Sequence, residues 1–177
     1  MIAIVDENNE LTGEVKTYKE IHEKGLWHRT AVVWVVNNNS EVLLQKRGPN
    51  VGFPNLLDCS VGGHYPDYEN SFQAAIREAK EELGIELKKE DLDEPIIVKS
   101  QMTNDWRIEN EFISLFFVKL DIEKSDLKLQ EEEVSEVIFM NIDEFIKDKF
   151  ENPENHVNHT GGYDEIVFEK LKEISRK

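Results

Sequence analysis

Apolar and β-branched residues gather into short runs at Met1 to Val5, Ala31 to Val36, Glu41 to Gln45, Ile96 to Gln101, Phe112 to Leu120 and Val137 to Asn141, each of strand length. Turn-rich stretches such as Asn37-Asn38-Asn39-Ser40 and Gly48-Pro49-Asn50 separate them. Helical spacing takes over at Thr17 to Lys24, Ser71 to Leu83, Ile142 to Lys149 and Tyr163 to Ser175. In the first of these, Thr17 and Glu20 form a capping box and Gly25 is the stop. In the second, Ser71 is expected to cap the first turn and Gly84 to end the helix in a left-handed conformation. Counted at about 100° per residue, Phe72, Ala75, Ile76, Ala79 and Leu83 form the stripe this helix buries. Glu78, Glu81 and Glu82 fall on a different arc, turned toward solvent or a cleft. The pattern is α+β, with helices laid on a mixed sheet.

That acidic arc is the candidate chemistry. Three carboxylates crowded on one short arc repel by about a few tenths of a kcal/mol per i,i+4 pair, and a hard cation bound through oxygen relieves them. A solvated acidic face is the plainer alternative in so acidic a chain. What favours a metal site is the company the acids keep. Gly63, Glu69, Arg77, Glu78, Glu81, Glu82 and Gly84 stand at fixed offsets in GHYPDYENSFQAAIREAKEELGI. On average residue usage the pattern arises by chance well below about one time in a million per starting position. Arg77 is expected to point away from the acidic arc, its forked guanidinium paired with Glu69 to clamp loop to helix.

The order of glycine, five residues, Glu, seven residues, Arg-Glu, an apolar residue, any residue, Glu-Glu, any residue, glycine and an apolar residue resembles the signature of the Nudix hydrolases. Ala79 is small where that family often has a larger aliphatic residue. The resemblance implies a Nudix-type α/β/α sandwich with a mixed β-sheet, its core at about residues 28 to 150 of a single domain spanning 1–177. An N-terminal hairpin or strand with a short helix, and a C-terminal helix, would pack on that core. It implies Mg²⁺ (or Mn²⁺) held by Glu78, Glu81 and Glu82 with the Gly62 carbonyl, while Gly63, Glu69, Arg77 and Gly84 are structural. The activity implied is that of a pyrophosphohydrolase, in which water attacks phosphorus in a nucleoside diphosphate-linked or related diphosphate. The catalytic candidates are Glu81, Glu82 and Glu111. Lys46 and Arg47 are read either as neutralising phosphate oxygens or as a solvated strand end. His64, beside Gly63 at the start of this signature (the Nudix box), and Trp106, in an expected turn near Glu109, are the remaining substrate-binding candidates.

A narrower resemblance lies in the flanks. Trp27-His28-Arg29, the stretch from Val42 to Arg47, Phe53 to Asp58 and Ser60 to His64, extended by Glu109-Asn110-Glu111, look like the Nudix branch related to isopentenyl diphosphate isomerase. In that isomerase, histidines and an E-x-E pair carry a metal, positions answered here by His28, His64, Glu109 and Glu111. His22 stands one residue closer to His28 than a further upstream histidine of that pattern would. Read without the resemblance, His28 before an apolar strand is a structural histidine. The isomerase thiol directly before the box glycine is replaced by Gly62, and Cys59 reads as a small buried hydrophobe. With the R-E-x-x-E-E unit intact, hydrolysis is favoured. An isomerase-like enzyme and a non-catalytic diphosphate-ligand sensor are the alternatives.

Composition sets the outer bounds. At 177 residues and 39% hydrophobic content, one core is expected. The net charge of −16 argues against nonspecific nucleic-acid binding, but not against a small phosphorylated substrate whose metal brings its own charge. No apolar run or signal-like start suggests a membrane, and a single cysteine fits a reducing cytoplasm. Oligomeric state is open, a homodimer included. Trp34 is expected in the core, Trp27 and Phe53 either in packing or against a base or prenyl chain, and His156 and His159 at the surface of an Asn-rich segment.

Overall fold

The computed structural model describes residues 1–104 and 107–176. Strands β1 (Ile2–Val5) and β2 (Leu11–Lys16) form an N-terminal hairpin and lead into helix α1 (Tyr18–Lys24). There follow β3 (His28–Val36), β4 (Glu41–Arg47), β5 (Leu57–Asp58), β6 (Val61–His64), α2 (Ser71–Leu83), β7 (Ile96–Asn104), β8 (Arg107–Lys119), β9 (Val134–Asn141), α3 (Ile142–Glu151) and α4 (Tyr163–Ser175).

β3 is the axis of the mixed sheet. β8 runs parallel to it along its whole length, from His28 opposite Glu111 to Val36 opposite Lys119. β6 pairs antiparallel on its other side, from Thr30 opposite His64 to Val33 opposite Val61. β7 extends the sheet beyond β8, and β4 carries β9 and β5. A strand with parallel pairing is covered on both faces, which explains why its sequence is nearly continuous Val and Ala rather than alternating. Its two faces go to different layers. Ala31, Val33 and Val35 pack with Ala74, Ala75, Ala79 and Leu83 of α2. Val32, Trp34 and Val36 pack with Phe145 of α3 and with Val167 and Leu171 of α4. The result is an α/β/α sandwich around a mixed sheet, the layering expected from the sequence.

Several boundaries differ from the sequence reading for identifiable reasons. β2 is exposed along almost its whole length, so no hydrophobic alternation marks it. β6 holds two glycines in four residues and reads as a loop, yet the edge of β3 recruits it. β8 starts five residues earlier than its apolar run, because Glu109 and Glu111 alternate into a cavity rather than into the core. The capping box of α1 forms as expected, with Gly25 left-handed at its end. α2 is capped by Asn70, not Ser71: the Asn70 side chain accepts from the Gln73 amide at 3.0 Å, and Gln73 returns the bond to the Asn70 amide at 2.9 Å. Gly84 is left-handed at φ 69°, and a Cβ there would stand 3.0 Å from Lys128 Cβ.

The shifted cap gives a direct test. Asn70→Ala should cost about 1 kcal/mol of unfolding free energy in urea. Ser71→Ala, at the first helical position, should stay within about 0.5 kcal/mol.

Candidate metal centre and substrate cavity

Helix α1 and strands β3, β6 and β8 meet at one end of the sheet, and each delivers a polar side chain to the same place. His22 comes from α1, His28 from the start of β3, His64 from the end of β6, and Glu109 and Glu111 from β8. One donor atom each from His22, His28, His64 and Glu109 lies within 4.8 Å of the others. Glu111 Oε1 is 3.5 Å from His28 Nε2 and 3.7 Å from His64 Nε2.

The backbone orients the rings. His22 Nδ1 is 2.6 Å from the Tyr18 carbonyl and His28 Nδ1 is 2.9 Å from the Leu26 carbonyl. A carbonyl accepts, so each neutral ring carries its proton on Nδ1 and turns a bare Nε2 lone pair inward, the arrangement that orients metal-bound histidines. His64 Nε2 then faces His28 Nε2 at 3.0 Å. Glu109 Oε2 stands 2.9 Å from His22 Nε2 without making a hydrogen bond among the described residues. The pairs at 2.9 to 3.7 Å match neighbouring ligands of an ion bound at about 2.1 Å, while the widest separation in the set, up to 4.8 Å, must contract around one. A nitrogen-rich set with two carboxylates fits Mn²⁺ or another first-row ion at least as well as Mg²⁺.

Burial tunes these groups. Desolvation, with the Arg107 charge nearby, lowers the His22 pKa to about 4. Desolvation and the neighbouring His28 hold His64 well below the ordinary histidine range. Burial opposes ionisation of Glu111, but the favourable electrostatics of the adjacent His28 and His64 rings outweigh it and keep the carboxyl far below the usual carboxylate range.

The box acids surround an arginine. Arg77 binds Glu69 with both Nε and Nη2 at 2.9 Å and reaches the His64 carbonyl at 3.3 Å. It also donates to Glu78 at 2.7 Å and Glu81 at 3.0 Å, so the expectation that it points away from the acidic arc is wrong. The cause is charge: a guanidinium with five donors on the same turn draws in every carboxylate within reach. Glu81 stays at the surface, its side chain 53% exposed. Glu78 and Glu82 are buried rather than turned to solvent. Gly63 makes room for the first, since a Cβ there would stand 2.1 Å from Glu78 Oε1. Glu82 accepts from the Gly62 amide at 3.3 Å and from Gln45 Nε2 at 3.4 Å. Desolvation raises the pKa of both buried acids, most strongly for Glu82, where the Glu78 charge adds to it.

One cavity of about 730 Å³ is lined by Gly62, Gly63, His64, Arg77, Glu78 and Glu81 together with Glu109 and Glu111, while His22 and His28 lie behind its wall. Glu82 lies behind this wall. Arg47 lines the cavity, pinned to Asp58 at 2.7 Å and to the Gly52 carbonyl at 2.5 Å. Lys46 does not, because successive side chains of a strand point to opposite faces. Phe53 is on the cavity wall, while Trp34 packs against Phe145 in the core and Trp27 against Phe112. Trp106 lies outside the described residues. His156 and His159 are not the surface residues expected: His156 is buried against Asp148 at 2.7 Å, and His159 lines the cavity, stacked on Tyr163. The Asn-rich segment packs against Asp148 and Phe145 of α3 and Tyr163 of α4, contacts that local polarity does not foretell. Arg107, which no sequence signal singled out, is buried at the centre beside Glu109.

Residues 26–159 match the family model described as NUDIX domain. An uncharacterised Nudix hydrolase of Clostridium acetobutylicum is 36% identical over 148 residues, covering 81% of this chain and 71% of that protein. One from Listeria monocytogenes is 34% identical over 142 residues, covering 80% and 79%. A crystal structure from Deinococcus radiodurans superposes with a TM-score of 0.67 at 21% identity, covering 94% of this chain and 96% of that one. The Nudix domain of Shewanella oneidensis NrtR, crystallised with ADP ribose, superposes with a TM-score of 0.53 at 15% identity, covering 67% and 75%. These two structural likenesses speak to the fold. Among the described residues no helix is long and apolar enough to cross a membrane.

The lowered histidines set a pH dependence. Unfolded His22 takes up a proton near its ordinary 6.5, whereas folded His22 resists until about 4. Between those values the unfolded state binds more protons, so metal-free stability is full above 6.5 and falls as pH drops toward 4. Urea midpoints across that window should show the decline, and His22→Gln should flatten it.

Proposed function

This chain belongs to the Nudix family, and from that premise we propose that it is a metal-dependent hydrolase that cleaves a small-molecule diphosphate by water attack at phosphorus. The observation that carries the reading is one cavity lined by Glu78 and Glu81 of the box together with His64, Glu109 and Glu111 of the histidine-carboxylate set. When bound, Mg²⁺ or Mn²⁺ would neutralise diphosphate oxygens and lower the pKa of a coordinated water.

The chain's own residues divide the remaining work. His22, His28, His64, Glu109 and Glu111 are the ligand set best prepared for an ion, and Glu78, Glu81 and Glu82 with the Gly62 carbonyl are the set that the family pattern implies. Arg47, held from behind by Asp58, presents its guanidinium to phosphate oxygens. Glu81 is our choice for general base, since it is ionisable at the cavity wall and the more accessible of the catalytic candidates. Its carboxylate takes the proton as the water oxygen bonds to phosphorus, and the bond to the leaving phosphate breaks. Glu111, fastened between two histidines, is better suited to hold an ion than to move a proton. Glu82, behind the wall, supports the Gly62 backbone.

The isomerase alternative is weaker. The Cys59 thiol donates to the Val61 carbonyl at 3.3 Å, and burial with the Asp58 and Glu82 charges pushes its pKa well up, so it stays a neutral thiol. The nucleoside diphosphate class is supported by the cavity volume and by the ADP ribose held in the fold of the Shewanella oneidensis domain.

A screen of nucleoside diphosphates, sugar nucleotides, dinucleotides and prenyl diphosphates should show phosphate release that needs Mg²⁺ or Mn²⁺ and stops with chelator. Glu81→Gln should lower kcat by about a hundredfold or more with little change in KM. Release indifferent to chelator would remove the metal from the reading. Solvent deuterium entering isopentenyl diphosphate without phosphate release would replace hydrolysis with isomerisation.

A further inference from the structure

Arg107 sits where an incoming ion would have to go. Its Nη2 is 3.0 Å from His22 Nε2, the nitrogen whose lone pair is directed inward. Its Nε donates to Glu109 Oε1, and its Nη1 to the Tyr18 hydroxyl. One buried guanidinium thus engages two members of the candidate ligand set, and both engaged atoms belong to the half contributed by α1 and the start of β8. The other half, His28, His64 and Glu111, is held by contacts among its own members.

Charge explains the arrangement. Glu109 and Glu111 are buried carboxylates, and a buried charge needs an opposite charge or an ion beside it. Arg107 supplies one positive charge in the metal-free molecule. A divalent ion supplies two, and it needs the His22 lone pair on which the guanidinium sits and the Glu109 carboxylate, one oxygen of which the guanidinium holds. Keeping both cations side by side on the same donors would set like charges against each other at close range.

We infer that Arg107 is a resident cation that competes with the metal for His22 and Glu109, so that loading the centre displaces the guanidinium. The displaced side chain has a route out. It lies over the Tyr18 ring at 4.8 Å and the Phe53 ring at 5.7 Å, two faces that favour a cation. It also lines both the main cavity and an adjoining one of about 480 Å³ bounded by Phe53, Leu56 and Met102. The exchange couples ion loading to the arrival of a positive group where the substrate's diphosphate would lie. This inference rests on the metal centre named under the proposed function.

Mn²⁺ affinity, measured by calorimetry, and melting temperature in chelator test it without any assay of turnover. Arg107→Met should bind Mn²⁺ at least about tenfold more tightly than the native protein and melt at a lower temperature in chelator, having lost its internal cation. Arg107→Lys keeps the charge but not the fork, and should tighten binding by a smaller factor. Native affinity in Arg107→Lys with tighter binding in Arg107→Met would mean that bulk charge, not occupation of the donors, is at work, and would overturn the inference. So would unchanged or weaker affinity in Arg107→Met. Should that variant not fold, Tyr18→Phe releases Nη1 alone and should tighten Mn²⁺ binding by a few fold; no change there also overturns it. If the native protein binds Mn²⁺ in a manner lost in His22→Gln and Glu109→Gln but Arg107→Met binds no tighter, competition fails and the centre stands. If neither native protein nor variant binds, both fall.

Discussion

The parallel pairing of β3 with β8 is the constraint from which the rest follows. It sets His28 opposite Glu111, and with β6 on the other edge of β3 it brings His64 beside them. Side chains alternate between the faces of a strand, so a slip of one residue would send His28 and Glu111 to opposite sides of the sheet and turn Val32 and Trp34 toward α2. Core packing and site assembly therefore share one register. The apolar residues that hold β3 between two layers of helices also hold the histidine at its end in place.

A second constraint is charge. The chain carries a large excess of acid, and it buries Glu78, Glu82, Glu109 and Glu111 around one cavity. Two arginines answer them in parallel ways. Arg77 gathers Glu69, Glu78 and Glu81 on the helix side, and Arg107 joins Glu109, His22 and Tyr18 on the strand side. Desolvation makes each unneutralised carboxylate expensive, so the fold sets these internal cations beside its buried acids. The same desolvation keeps His22 and His64 neutral at physiological pH, which is the form that binds metal.

Much of this is legible in the sequence. The apolar runs marked the central strands, and the spacing of Gly63, Glu69, Arg77, Glu78, Glu81, Glu82 and Gly84 marked α2 and its glycine approach. What stayed hidden had no local signature. β6 reads as a loop because glycines have no strand preference of their own, and the strand exists because β3 offers an edge. His156 and His159 sit among polar residues along the chain, but tertiary packing buries the first against Asp148 and places the second on the cavity wall. Arg77 was assigned one partner by helical angle, whereas its length and forked donors give it several.

The sequence by itself determined the fold class, the principal helices, the box motif and the residue types available to an ion, because these depend on periodicity and fixed spacing along one segment. Tertiary structure alone decided that His22, His28, His64, Glu109 and Glu111 meet, that Arg107 stands among them, and that Lys46 turns away while Arg47 faces the cavity. Those outcomes depend on strand register and on the competition of buried charges for partners, and neither is a property of any stretch of chain read alone.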